Sequence, residues 1–213
     1  GGEELADRVV SAEARVDGVA LATGRMADDD WDRALDALQG MGDLPVWVDD
    51  QPALGLYEIR SKVRRVRGLK VLVVDYLQLC RSSLTRENRT AQVGEISRGL
   101  KALAMEAGIC VIALSQLNRE VEKRPGKRPQ MSDLRDSGEI EQDADSVLFL
   151  WPLSDPTKPG EMLVGCEVAK QRGGTLGAWV MAFNRPHQRW QETTLSVDEA
   201  VRMNSNSTQR GEL

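Results

Sequence analysis

A single histidine and three widely separated cysteines, Cys80, Cys110 and Cys166, with no C-x-x-C pair, leave little from which to build a zinc site or a disulfide framework. The odd cysteine count suits reduced thiols, and two of the three adjoin apolar runs where such thiols are buried. No apolar run approaches the 18 residues that a membrane-spanning helix needs, and no charged-then-apolar leader opens the chain. On these absences a soluble, intracellular and cytoplasmic protein is expected, with no membrane partner. Only nine of the 213 residues are aromatic, five of them Trp, so the core must be made mainly of Val, Leu, Ile, Ala and Met. A basic excess is also missing. With 28 basic and 33 acidic residues the net charge is −5, which excludes a protein that coats nucleic acid through bulk positive charge, but not a local basic site. Finally, no G-x-x-x-x-G-K-[ST] phosphate loop occurs anywhere.

What is present is an alternation of helical and strand patterns. Helices are expected over 3–17, from about 28 to 40, over 54–68 and from about 88 to 107, the last closed by Gly108. Strands are expected at 44–50, 70–75, 109–116 and 146–151, and two more around a Gly-Gly turn within 162–184. Between 118 and 145 the chain is charged and poor in apolar residues, with one helical turn in "GEIEQDAD". From Thr194 periodicity fades, and 194–213 is expected to be a disordered tail behind a single domain at 3–193. No internal repeat or linker breaks that span. Alternating helix and buried strand predict an α/β fold, a mostly parallel sheet with helices on both faces, and antiparallel strands at its C-terminal edge.

Four stretches carry polar residues where such a sheet would use them. "KVLVVDYLQL" delivers Asp75 directly after an apolar strand, at the carboxyl end where parallel sheets bind ligands; a solvated strand end is the bland alternative. "VIALSQLN" places Gln116 after a second apolar strand, where an amide can orient water or sense a phosphate oxygen, or simply satisfy a turn. "VAKQRGG" sets Lys170 and Arg172 two apart, on one face of a strand end, a pair suited to an anionic target or to a solvated hairpin tip. "MSDLRDSGEIEQDAD" offers Arg135 and, at Ser137-Gly138, a hydroxyl and backbone N–H groups to a phosphodiester chain, or else a helix-capping loop.

In combination, "LKVLVVDYLQL", the run from "EISRGLKALAMEAGICVIALSQLN" to "GEIEQDAD", and "VAKQRGGTLG" resemble the motor domain of DnaB-type bacterial and phage replicative helicases, in order and at the family's spacing. The resemblance spans approximately 3–193. It implies a RecA-like fold of the P-loop NTPase class, a homohexameric ring around single-stranded DNA, 5′–3′ translocation driven by ATP with Mg²⁺, and a primase and a helicase loader as partners. Asp75 matches the Walker B aspartate that coordinates Mg²⁺, and Gln116 the glutamine that reads the γ-phosphate. Lys170 and Arg172 match the lysine and arginine finger that a neighbouring subunit inserts. Arg135, Asp136 and Gly138 match the loop that grips DNA, and Arg8 an arginine near the nucleotide phosphates. In the family the phosphate loop and the catalytic glutamate lie upstream of the helix that begins here near Glu3. The chain is therefore expected to be a motor fragment whose N-terminal strands are absent and which does not hydrolyse ATP alone. Two rival readings are a RecA-like strand-exchange or regulatory ATPase, which would share Asp75 but not the "SDLRDSGEIEQDAD" loop, and a non-catalytic docking module.

Overall fold

The computed structural model describes residues 1–84, 87–154 and 160–210, with backbone alone at 125, 135–137 and 205–210. In chain order the elements are α1 (Gly2–Ala14), α2 (Gly18–Thr23), α3 (Asp28–Gly42), α4 (Leu56–Arg65), β1 (Val71–Val74), α5 (Arg89–Ala107), β2 (Cys110–Ala113), α6 (Glu120–Lys123), α7 (Gly138–Asp143), β3 (Ser146–Pro152), β4 (Glu161–Gln171), β5 (Gly177–Asn184), β6 (Arg189–Glu192) and α8 (Val197–Arg210). Short 3₁₀ segments occupy Leu77–Leu79, Pro125–Lys127 and Met131–Ser137. The chain divides into two compact units, both discontinuous: 1–50 with 150–167 and 177–213, and 51–149 with 168–176. Because each is assembled from separated segments, no linker marks the division in the sequence.

In the second unit β1 and β2 pair in parallel, Val71 opposite Cys110 and Val74 opposite Ala113. A parallel pair cannot be joined by a tight turn, and α5 supplies the crossover. Its start is fixed by Asn88, whose side-chain oxygen accepts from Ala91 N at 2.9 Å, and its end by Gly108 in the left-handed conformation (φ 63°) that glycine adopts without penalty. Val93, Ile96, Leu100 and Leu103 of α5 pack with Ile59 and Val63 of α4, and Leu72, Val74 and Val111 of the sheet lie against this core. The alternate strand residues point the other way: Val71 and Val73 are 47% and 57% exposed, and Ile112 is exposed with them. The apolar runs read as fully buried strands are thus covered on one face only.

In the first unit Val10, Ala14 and Val16 meet Ala34 and Ala37 of α3, with Leu21, Met26 and Met41 around them. Ser11 is buried there and donates from Oγ to Val16 O at 2.6 Å. The C-terminal sheet runs in the order β3-β4-β5-β6. β5 and β6 are antiparallel with Phe183 opposite Trp190, and their rings lie 4.8 Å apart between centroids. Along β3, whose residues 146–149 belong to the second unit, Val147, Phe149 and Trp151 are buried while Leu148 and Leu150 are exposed, the period of two expected of a strand.

The expected helices and most expected strands are found, with three departures. "LPVWVDD" is not a strand: residues 45–50 form no ladder, and Trp47 is 63% exposed. β-propensity alone does not make a strand, because pairing requires a neighbour to receive the backbone hydrogen bonds. β6 has no strand signal of its own; "RWQE" is short and charged, and it pairs because the preceding turn brings it back along β5. The tail expected to be without order is helical over Val197–Arg210, with Ala200 fully buried. Its start is capped by Ser196, whose N–H and hydroxyl donate to Glu199 Oε2 at 2.8 and 2.7 Å. The cysteines are all free, Cys166 buried and Cys110 exposed; burial pushes the Cys166 thiol above its ordinary pKa.

One glycine in the first unit serves close packing. A Cβ on Gly165 would overlap the buried indole of Trp151, which has no room to retreat. Gly165→Ala is expected to destabilise the fold by about 1–3 kcal/mol through overpacking, read as a lower urea midpoint with an unchanged slope.

Candidate functional site

The parallel pairing of β1 with β2 brings the ends of two strands far apart in sequence to one edge. Leu114 N donates to Val74 O and Leu77 N to Leu114 O, each at 2.9 Å, so the two carboxyl ends are tied together. Asp75, exposed, follows one strand and Ser115–Gln116 the other. The Asp75–Tyr76 peptide bond is cis. Between the strand ends stands Gln78, which sequence reasoning missed. Its Nε2 donates to Ser115 Oγ at 3.0 Å, and its Oε1 accepts from Gln116 N at 3.3 Å. Its carbonyl in turn accepts from the Arg89 guanidinium at the start of α5. One amide therefore sets the turn that carries the second amide.

Asp75 is well suited to a hydrated divalent ion but not to a protein-only cage. Among the described residues no group of three His, Cys, Asp or Glu side chains gathers to hold a metal. An exposed carboxylate at a strand end could serve Mg²⁺, which keeps several waters and takes its other ligands from phosphates.

Lys170 and Arg172 form a second cluster in the same unit. Lys170 Nζ donates to the carbonyl of Glu141. Arg172 donates from Nη2 to Gln142 O at 2.9 Å and from Nη1 to Asp145 Oδ1 at 3.2 Å, and its backbone N–H donates to Asp145 O at 2.8 Å. Asp145 Oδ2 also accepts from Lys101 Nζ of α5 at 2.5 Å. Lys101 first, and Arg172 with it, hold the Asp145 carboxyl below the usual aspartate range. The two cations thus share one side of the chain, as their i, i+2 spacing predicts, and rest on the C-terminal end of α7.

The loop between them and Gln116 is anchored by a pair that sequence reasoning also passed over. Asp133, buried, accepts from Arg124 Nη1 and Nη2 at 2.8 and 3.0 Å and from Gln130 N at 2.7 Å. Its carbonyl accepts from Asn118 N at 3.1 Å. The 3₁₀ segment Met131–Ser137 hangs from this anchor; the side chains of Arg135 and Asp136 lie outside the described residues. Gly138, the first residue of α7, has ordinary helical dihedrals (φ −51°, ψ −21°), and a Cβ there would meet nothing within 4 Å. Local folding does not require a glycine at this point. Arg8 belongs to the first unit, where it pairs with Glu4 one turn earlier on α1 at 2.5 Å.

Comparison with known proteins gives a consistent picture. The family model for the DnaB-like helicase C-terminal domain matches residues 1–192. The replicative DNA helicase DnaB of Geobacillus stearothermophilus is 41% identical over 204 residues, covering 93% of this chain and 45% of that protein. That of Mycobacterium leprae is 47% identical over 150 residues, 69% of this chain and 25% of that protein. Among solved structures, a DnaB-like replicative helicase described with its interactions with primase superposes with a TM-score of 0.83 at 32% identity, over 91% of this chain and 48% of that one. The ATPase domain of G40P superposes with a TM-score of 0.84 at 32% identity, over 91% of this chain and 71% of that one. The chain spans about half or less of the length of the curated relatives it matches.

The Arg124 hydrogen bonds, followed by the Gln130 N–H, keep the Asp133 carboxyl ionised below its ordinary value of 3.8. A depressed carboxylate pKa contributes stability that is complete above the unfolded value and is lost as pH falls through the folded one. The anchor is therefore expected to release only below about pH 3.8. Carbon NMR of the Asp133 carboxyl should give a midpoint under that value, and Arg124→Ala should raise it.

Proposed function

We propose that this chain, which belongs to the family of DnaB-like helicase C-terminal domains, is the motor segment of a replicative DNA helicase, coupling NTP hydrolysis between subunits of a homohexameric ring to 5′–3′ movement along single-stranded DNA. The observation that carries this reading is the juxtaposition of Asp75 and Gln116 at the carboxyl ends of adjacent parallel strands, where α/β sheets place ligand-binding groups.

The site residues take the roles that follow. Asp75 would hold Mg²⁺, which neutralises charge on the β- and γ-phosphates of a bound nucleotide. Gln116, held by Gln78, would point its amide toward the γ-phosphate and report whether it is present. Lys170 and Arg172 would act on the nucleotide of a neighbouring subunit, since a finger stabilises transferring phosphate from outside its own site. That arrangement makes hydrolysis depend on ring assembly. Arg8 would lie near the phosphates. Turnover also needs a glycine-rich phosphate loop, which the sequence given does not contain.

Arg135, Asp136 and Gly138 would grip the DNA backbone. Contacts to phosphates carry no sequence information, as a motor that moves over any sequence requires. The glycine that the local fold does not need leaves space for a phosphodiester chain to approach the start of α7. An acidic protein can bind DNA in this way because several such loops focus their field in one channel, whatever the net charge. A primase and a helicase loader are the partners proposed for the ring, in the cytoplasm; among the described residues no helix is long and apolar enough to cross a membrane.

The test is Arg172→Ala in the full gene product. Rings should still form, DNA-stimulated ATP hydrolysis should fall by about 10³-fold, within the range seen for arginine fingers, and mixing the mutant into wild type should lower activity more than dilution does. Turnover that survives the substitution would contradict the finger role and return the protein to the wider class of RecA-like ATPases.

A further inference from the structure

The finger pair does not stand free on a hairpin. Three of its donors end on two consecutive residues of α7 and on the residue two beyond its end: Lys170 Nζ on Glu141 O, Arg172 Nη2 on Gln142 O and Arg172 Nη1 on Asp145 Oδ1. The carbonyls at a helix C-terminus have no partners within the helix and carry its partial negative charge, so they suit cations. The Arg172 N–H bond to Asp145 O extends the tie to the backbone itself. At its other end α7 starts at Gly138, directly after the 3₁₀ segment Met131–Ser137. α7 is also seated on α5, where Ser97 Oγ donates to Asp143 Oδ2 at 2.7 Å and Arg98 pairs with Glu139, and Gly94 leaves room for the Glu139 carboxylate.

A six-residue helix therefore has the proposed DNA loop at its start and the proposed finger cations at its end. Over so short a span a helix is nearly rigid, and a tilt of its N-terminus moves its terminal carbonyls by a similar amount. We infer that Asp145 is a positioning residue for the finger pair, and that α7 carries displacement of the DNA-gripping loop to Arg172 and Lys170. Resting on the helicase reading above, this adds to it the element through which DNA contact governs hydrolysis. Lys101 has a different part. It holds Asp145 to α5 through Oδ2, whereas Arg172 is met by Oδ1, so it bears on the stability of the seat rather than on the aim of Arg172.

Steady-state ATP hydrolysis with and without single-stranded DNA, in the full gene product, separates these roles through three variants. Asp145→Asn keeps the shape but removes the charge that aims Arg172. It is expected to lower the DNA-stimulated kcat about tenfold, with KM for ATP within twofold and ring formation intact, and to reduce the ratio of stimulated to unstimulated rate. Lys101→Met is expected to stay within threefold of wild type. A stimulated kcat within twofold of wild type for Asp145→Asn, beside a large loss in Arg172→Ala, overturns this inference and leaves the helicase reading standing. Equal losses in Asp145→Asn and Lys101→Met also overturn it, because Asp145 would then serve only to fasten the strand end to α5. Retention of turnover in Arg172→Ala removes the finger role, and the positioning role falls with it.

Discussion

The parallel pairing of β1 with β2 is the constraint on which the second unit depends. Four residues of each strand are enough to bring Val74 and Ala113 side by side, and everything polar that follows those strands then shares one edge. A parallel pair also forces a long return path, and the 19 residues of α5 fill it. Packed on the inner face of the strands through Ile96, Leu100 and Leu103, α5 becomes the common support of the unit. Its first residue reaches Gln78, its middle turns hold α7 through Ser97 and Arg98, and Lys101 holds Asp145. A hydrophobic contact thus sets the spacing of groups distant in the chain, and the strand edge and the Lys170–Arg172 cluster rest on the same helix.

The electrostatics follow a matching economy. In a chain of net charge −5, Lys170 and Arg172 are held by two main-chain carbonyls and one carboxylate. Carbonyl partners can be exchanged for phosphate oxygens without leaving a buried charge behind. Arg172 and Lys170 are well suited to such an exchange, since both are at least partly exposed. Arg124 is not: its bidentate partner Asp133 is buried, and separating them would strand a carboxylate away from water.

Much of this was legible in the sequence where the signal is local. The apolar runs before Asp75 and Gln116 mark β1 and β2, Asn88 and Gly108 bracket α5 with real capping bonds, and the i, i+2 spacing of Lys170 and Arg172 places both cations on one side. The resemblance to replicative helicases drew those pieces into one assignment. What stayed hidden depends on partners distant in the chain. Gln78 meets Ser115 across 37 positions and Asp145 meets Arg172 across 27, and neither bond has a local sequence signature. "PVWV" has the composition of a strand but forms no ladder with the described residues, and the polar helix after Ser196 buries Ala200. Periodicity reports which face of an element is apolar; it does not report what that face will meet.

Asp75 and Gln116 are proposed to form the metal and γ-phosphate side of a nucleotide site, and Asp75→Asn in the full gene product, with nucleotide affinity measured in the presence and absence of Mg²⁺ alongside hydrolysis, tests this. The predicted result is loss of most hydrolysis, together with loss of the Mg²⁺-dependent gain in affinity, while binding of nucleotide without Mg²⁺ is kept. Hydrolysis within twofold of wild type, with the Mg²⁺ dependence unchanged, would show that Asp75 is an ordinary strand end and that the nucleotide lies elsewhere.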